Sequence, residues 1–382
     1  MSEDIRQLRE EIDSADEQIV ALLKKRMDVS RRIAEYKKEN GLKVFDPRRE
    51  RELLLRVSEL AGEEHESEAR VLFSLLMELS RSRQNRITLP KSRYEEILQT
   101  AVRDTPPLFP ERASIACQGT EGAFAQQACE KLFSLPDILY CNSFDAVFAA
   151  VDKGLCRYGV IPLENSTAGS VNHVYDLMIK NHFYIVRSTR LQVNHNLLVR
   201  PGTKLSDVKE VISHEQALNQ CSNFLSQLKG VKITACANTA VAAQTVAESG
   251  RADLAAISSG SCASLYGLET LEQHVQNGFG NYTRFICISK TPEIYPGADR
   301  TSLMLVLPHR PGALYRVMAR FYAHNINVTK IESRPIPERD FEFMFYFDIN
   351  ASVYSPALAQ LICELESDLE QFTYLGSYSE IV

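Results

Sequence analysis

Residues 1–40 read MSEDIRQLREEIDSADEQIVALLKKRMDVSRRIAEYKKEN. Ile5, Leu8, Ile12, Ile19, Leu22, Leu23, Val29, Ile33 and Tyr36 recur at three- and four-residue steps, the period of one helical face. At ~1.5 Å per residue, ~36 residues make a rod of roughly 54 Å. Two short helices of the same chain cannot cover so long a stripe, so the expected form is an intertwined dimer. Gly41 ends the rod. Asp46-Pro47 puts a capping carboxylate and a first-position proline at the start of a second helix, which runs to about Ala61-Gly62. A third, from about Ser67, carries Val71, Leu72, Leu75, Leu76 and Leu79.

Cations interrupt the apolar stripe at Arg9, Arg26 and Lys37. At ~100° per residue, Arg26 and Lys37 differ by only ~20° and share a face, whereas Arg9 points ~100° away. Arg9 therefore suits a different pocket, the partner subunit's. Arg49 and Glu50 follow Asp46 in the first turn of the second helix, and Ser80 and Gln84 share a face of the third. Together these residues make a cationic pocket with one carboxylate and one neutral amide. It fits a small dianion that also carries a hydroxyl and an ether.

Outward from this segment, the 382 residues imply two or three domains. A hydrophobic content of 45% and a charged content of 24% are those of a soluble globular protein. The net charge of −6 argues against nucleic-acid binding. No apolar run reaches the ~20 residues of a membrane span, and the polar, acidic start reads as neither signal nor transit peptide, so a cytoplasmic protein is expected. Nine cysteines, scattered from Cys117 to Cys363 without a CxxC pair, read as reduced thiols, not as disulfides or a zinc site.

Charge marks a boundary. Residues 1–104 hold 21 Lys+Arg and 22 Asp+Glu, more than twice the density of the rest. Thr105-Pro106-Pro107-Leu108-Phe109-Pro110 then reads as an extended linker. The expected division is a helical domain at 1–104, a Pro-rich linker at 105–112, an α/β domain at 113–290 and a terminal domain at 299–382.

From Ala113 short apolar strands alternate with helices, the mark of α/β architecture. Strand ends deliver Gln118–Phe124, Leu163–Gly169 and Ser213–Gln216 to a cleft at helix N-termini, where anions bind readily. Two lobes around a cleft are expected, as in periplasmic binding proteins. The Gly119–Gly122 turn has neither Rossmann nor P-loop spacing, so no nucleotide is implied. His214 stands at a strand end, where a lone histidine is more often structural than an acid. The last domain reads strand Thr301–Leu307, helix Gly312–His324, strand Val328–Arg334, strand Glu342–Asn350, helix Pro356–Leu365 and strand Phe372–Ser379, an α+β, ferredoxin-like order.

The segments LREEID, LLKKRMDVSRRIAEYK, DPRRERE and LMELSRSRQ resemble the all-α chorismate mutase module. The resemblance implies chorismate binding by Arg9, Arg26, Lys37, Asp46, Arg49, Glu50, Ser80 and Gln84. Arg9 of the partner, Arg26 and Arg49 would meet the carboxylates, Lys37 and Gln84 the ether oxygen, and Glu50 the ring hydroxyl. A Claisen rearrangement needs a folded geometry and donors at the breaking C–O bond, not a base. Ile161–Ser166, Ser213–Ala217, Gln220-Cys221 and Asn281–Phe285 resemble prephenate dehydratase. One departure is Glu215, where that family commonly has proline. The resemblance implies Thr283 as the donor to the departing hydroxide, Arg284 as a carboxylate partner or structural clamp, and Glu164, Asn165, Ser166 and Gln220 as residues that orient prephenate. Pro308–Leu314 and Ile331–Pro335 resemble the ACT module, which implies a phenylalanine effector at Gly312, Ala313, Leu314, Glu332, Ser333 and Arg334. The chain thus resembles the bifunctional chorismate mutase–prephenate dehydratase family, with no metal or redox cofactor and a homodimer or tetramer as the expected assembly. A dehydratase whose helical part only dimerises, and a non-catalytic amino-acid sensor, are the competing expectations.

Overall fold

The computed structural model describes residues 4–88, 92–278, 280–336 and 342–382. The rod forms as α1 (Ile5–Glu39), capped by the Asp4 carboxylate and followed by Gly41 in the left-handed region. In α2 (Pro47–Thr88) Asp46 Oδ1 accepts from the backbone N–H groups of Arg48 and Arg49 at 3.1 and 3.0 Å. Gly62, at φ 70° and ψ 174°, breaks α2 in two. The second half starts directly after this glycine, four residues before the expected Ser67. Glu63, Glu64 and Glu66 fill its first turn, where carboxylates favour the positive end of a helix. Ser30 and Ala34 are the buried residues of α1, while Ile5, Ile12, Ile19, Leu22 and Tyr36 stay more than half exposed.

A further helix, α3 (Arg93–Asp104), precedes the prolines. Its Tyr94, Leu98 and Ala101 belong to the core of the last domain, with Tyr94 edge-on to Phe372 at 5.2 Å. The linker is also packed: Phe109 lies between Phe133 and Tyr295, with the Arg187 guanidinium 3.9 Å from its ring centroid.

The α/β part runs β1 (Arg112–Gln118), α4 (Phe124–Leu132), β2 (Leu135–Cys141), α5 (Phe144–Asp152), β3 (Tyr158–Asn165), β4 (Gly169–Ser170), α6 (Asn172–Lys180), β5 (Tyr184–Gln192), β6 (Asn196–Val199), β7 (Glu210–His214), α7 (Glu215–Gln220), α8 (Ser222–Leu225), β8 (Lys232–Cys236), α9 (Thr239–Glu248), β9 (Leu254–Ser258), α10 (Gly260–Tyr266), β10 (Glu269–Glu272) and β11 (Tyr282–Ser289). The last domain adds β12 (Arg300–Leu307), α11 (Ala313–Ala323), β13 (Asn327–Pro335), β14 (Phe343–Asn350), α12 (Pro356–Asp368), β15 (Gln371–Tyr378) and β16 (Glu380–Ile381).

Among the described residues these strands form three sheets. One has the order β16-β5-β11-β3-β1-β2, with β4 on β3; the second is β10-β6-β9-β7-β8; the third is β13-β14-β12-β15. The first two are the lobes. The chain crosses between them at residues 193–195 and again at 273–278 and 280–281, and the crossings pair with each other: Val193 N–H donates to Asn281 O and Val275 N–H to His195 O, both at 2.8 Å. The third sheet has the expected ferredoxin-like order. Alternation along β12 sends Met304 and Val306 into a core shared with the first lobe, and Leu303 and Leu305 under α11 and α12. The chain end then returns to the first lobe, where β16 pairs in parallel with Ser188 and Thr189 of β5.

Candidate active sites and their neighbours

In the helical module, Arg26 of α1 donates to Leu76 O at 2.7 Å and to Ser80 Oγ. Gln84 Nε2 donates to Ser30 Oγ at 3.2 Å, and its carbonyl oxygen is buried without a partner. Lys37 donates to Val44 O at 2.7 Å. Burial pulls its ammonium down from the usual lysine range, against the opposing pull of Asp46 and Glu50. Burial pushes the Glu50 carboxyl up, and the nearby Arg81 guanidinium, 2.8 Å away, opposes this. Arg26 and Ser80 thus meet between α1 and the second half of α2, beside the Gln84–Ser30 pair, while Lys37 and Glu50 lie near each other where α1 leads into α2. The Asp46 carboxylate is taken up by its cap. Arg49 is exposed and lies 3.8 Å from Glu52. Arg9 is seventeen residues from Arg26, or ~25 Å along the helix, too far to reach this cluster in its own chain.

Sequence reading missed Ser30 and Arg81. Arg81, inside the LMELSRSRQ segment, also pairs with buried Glu78, which faces Arg316 and Arg320 of α11 at 3.5 Å each. The helical cluster therefore abuts the last domain through four charged groups.

A cavity of about 730 Å³ lies between the two lobes. Its lining includes Thr120, Asn142, Asn165, His195, His214, Gln220, Asn238, Thr239, Thr283 and Phe285, but among the described residues no Asp, Glu, Lys or Arg. The N-terminal ends of α4, α5, α6, α7 and α9 open onto it instead. The aligned dipoles of these helices give a positive field for an anion without a single cationic side chain. A smaller cavity of about 540 Å³ adjoins it, sharing His214, Gln216 and Gln220.

Thr283 Oγ1 accepts from Asn165 Nδ2 at 2.9 Å, which leaves its own O–H to point into the cavity. Asn165 Nδ2 also donates to Asn281 Oδ1 (2.7 Å), and Asn281 Nδ2 to Gln220 Oε1 (2.9 Å). Gln220 Oε1 lies 3.0 Å from His195 Nε2. Burial pulls the His195 imidazole below its usual range. Burial pushes the Cys221 thiol up to about 12, so it is no nucleophile at neutral pH. His214 caps α7, its Nδ1 accepting from Gln216 N–H. Glu215 occupies the first position of α7, a place that suits an acidic residue as well as a proline.

Arg284 and Glu164 lie elsewhere. Thr283 and Arg284 are consecutive on β11 and face opposite ways. The Arg284 side chain is buried against the last domain, bonded to Asp348, to Tyr378 Oη at 2.7 Å and to Glu164 at 3.2 Å. These bonds tie the first lobe to the last domain. Glu164 faces the same way and pairs with Lys330 of β13. Ser166 closes a turn, donating to Gly280 O and accepting from Tyr282 N–H. Neither Glu164 nor Ser166 lines the large cavity.

At the expected effector positions, Gly312 has φ 79° at the start of α11, followed by Ala313 and Leu314. Glu332 accepts from Ser170 of β4, and Arg334 clamps Asp176 of α6 with two bonds of 3.0 Å. Ser333, between them, points away and is exposed, as strand alternation requires. The structure thus separates Ser333 from Glu332 and Arg334.

Three family models match: chorismate mutase type II at residues 8–85, prephenate dehydratase at 115–293 and the ACT domain at 301–362. The bifunctional chorismate mutase/prephenate dehydratase of Escherichia coli K12 is 32% identical over 97% of this chain and 95% of its own length. The chain belongs to this bifunctional family. It carries a chorismate mutase and a prephenate dehydratase, followed by an ACT domain. The chloroplastic arogenate dehydratase/prephenate dehydratase 1 of Arabidopsis thaliana is 37% identical over 70% of this chain and 72% of that protein. A prephenate dehydratase from Arthrobacter aurescens, solved in complex with L-Phe, superposes with a TM-score of 0.64 at 25% identity, covering 70% of this chain and 90% of that one. No helix among the described residues is long and apolar enough to cross a membrane.

Proposed function

We propose that the chain converts chorismate to prephenate on its helical module and prephenate to phenylpyruvate in the interlobe cavity, with phenylalanine as inhibitor. One observation carries the second step. Among the described residues the cavity has no charged side chain in its lining, five helix N-termini face it, and Thr283 is held there by Asn165 with its hydroxyl hydrogen left to donate. The helix ends receive the two carboxylates of prephenate. The ring C–O bond breaks as Thr283 donates a hydrogen bond to the departing hydroxide, which leaves as water once protonated. The bond to the ring carboxylate breaks in the same sense, CO2 departs, and its electron pair completes the aromatic ring. Thr283 is a weak acid, so its contribution is a directed donor in a dry site.

In the mutase, Arg26 and Arg9 of a second chain take the carboxylates, Lys37 and Gln84 the ether oxygen, and Glu50 the ring hydroxyl. Gln84 carries no charge at any pH, so this donor does not titrate. Phenylalanine sits at Gly312–Leu314. Glu332 and Arg334 transmit its binding, since both already grip the segment β4–α6 that borders the cavity. Nine cysteines without a CxxC pair suit the reducing cytoplasm.

The test is to supply the purified chain with chorismate alone and identify the product. Phenylpyruvate is expected. Accumulation of prephenate would overturn the assignment of the interlobe cavity, and unchanged chorismate that of the helical module. Saturating phenylalanine should lower the dehydratase rate, and an unchanged rate would remove the effector assignment.

A further inference from the structure

His195 has no assigned part in the reaction, although it lies in the first crossing between the lobes and is 2% exposed. Its protonation state follows from bonds that cannot flip. The backbone N–H groups of Thr167 and Ala168 both donate to one oxygen of the Asn165 amide, at 3.0 and 2.9 Å. That fixes the amide, so Asn165 Nδ2 must donate to Asn281 Oδ1 and to Thr283 Oγ1. Asn281 then turns its Nδ2 toward Gln220, whose Oε1 must accept. Gln220 Nε2 is used on the other side, donating to Thr167 Oγ1 at 3.1 Å. An amide oxygen facing His195 Nε2 requires the proton to be on Nε2. The other ring nitrogen, Nδ1, is buried with no partner, as fits a neutral ring.

We infer that His195 is a positioning residue for the dehydration step, acting through Gln220. Gln220 belongs to α7 in the second lobe, whereas Asn165 and Thr283 belong to β3 and β11 in the first. His195 and Asn281 each belong to one of the two crossings, and both hold the same amide oxygen. His195 itself is anchored there, its N–H donating to Gln276 Oε1 of the other crossing at 2.9 Å. Without the His195 proton, Gln220 loses one of the two donors on its oxygen and can turn toward the adjoining cavity. The amide chain that presents the Thr283 hydroxyl then loses its second-lobe end. A displacement of about 1 Å at such a site costs on the order of 100-fold in rate.

The experiment compares His195→Gln with His195→Asn in the full chain. Glutamine can place an N–H where Nε2 stands; asparagine reaches only to the Nδ1 position. His195→Asn should lower the dehydratase kcat at least about ten-fold with KM little changed, and His195→Gln should keep kcat within about three-fold of the parent. In a Gln220→Ala background the His195→Asn change should have no further effect, since a residue that acts through another is silent once that other is gone. Mutase turnover and the melting temperature of the same chain report whether each variant is folded. The inference is overturned if His195→Asn leaves kcat within two-fold, or if its loss is as large with Gln220→Ala as without it. It rests on the dehydratase reading, which fails separately if Thr283→Ala still yields phenylpyruvate.

Discussion

Thr283 and Arg284 are neighbours that face opposite ways, and their substitutions should separate cleanly. Thr283→Ala removes one acceptor from Asn165, worth about 1 kcal/mol. It should abolish phenylpyruvate formation while barely moving the urea midpoint. Arg284→Ala leaves Asp348, only 2% exposed, without its cation, which costs about 3–5 kcal/mol. Its primary readout should be the midpoint, not KM for prephenate. The Thr-Arg-Phe motif made both residues legible as important. The division between them was also in the sequence, since consecutive strand residues face opposite sides, but a motif matched as a block hides that alternation. His195 was not legible, because a lone histidine between two strands carries no sign of the amide chain it joins. Its folded-state pKa lies below the unfolded value of about 6.5, so the unfolded chain binds more protons between those values. The contribution to stability is complete above about pH 6.5 and is lost as pH falls toward the folded value. The melting temperature of the parent should therefore drop more between pH 7 and pH 5 than that of His195→Gln. Equal drops would contradict a buried neutral imidazole.

At the scale of elements, hydrophobic period told strands from helices in the last domain to within a few residues, because each of its elements buries one regular face. It could not say which core an element would join. α3 is cut from the charge-dense segment 1–104, yet its buried face completes the core beneath β15. β16 is two residues long and carries no period at all. What draws it onto β5 is the close approach of β15, where Gly376 has φ 139°. A Cβ added at Gly376 would stand 2.1 Å from the carbonyl oxygen of Ile185. Backbone cannot yield as a flexible side chain can, so Gly376→Ala must push β15 and β5 apart. Overpacking of this kind costs about 1–3 kcal/mol, and the left-handed backbone adds strain. Urea unfolding should show that loss, whereas Gly297→Ala, where a Cβ meets nothing within 4 Å, should bring only the backbone strain.

Across the whole molecule the interlobe cavity is lined by residues of one chain, whereas Arg9 stands far from the helical cluster of its own chain. The exposed stripe of α1 and the distance of Arg9 from Arg26 support the proposed pairing, in which a second chain lies along the rod and brings its own Arg9 to each cluster. A two-fold pair places every residue twice, so two different defects can be sorted by mixing. Chains with Arg9→Ala lack the arginine they lend, and chains with Arg26→Ala lack the one they keep. Either variant alone should have no mutase activity and full dehydratase activity. In a mixed pair, the cluster on the Arg9→Ala chain has its own Arg26 and receives Arg9 from the other, so it is whole; the opposite cluster lacks both. Random exchange makes half of the pairs mixed, each with one working site of two, so about a quarter of the parental mutase activity should return on mixing equal amounts of the two inactive proteins. If Arg9 served its own chain, each mixed pair would hold one site without Arg9 and one without Arg26, and mixing would restore nothing. The dehydratase rate, measured on the same mixture, should not change in either case.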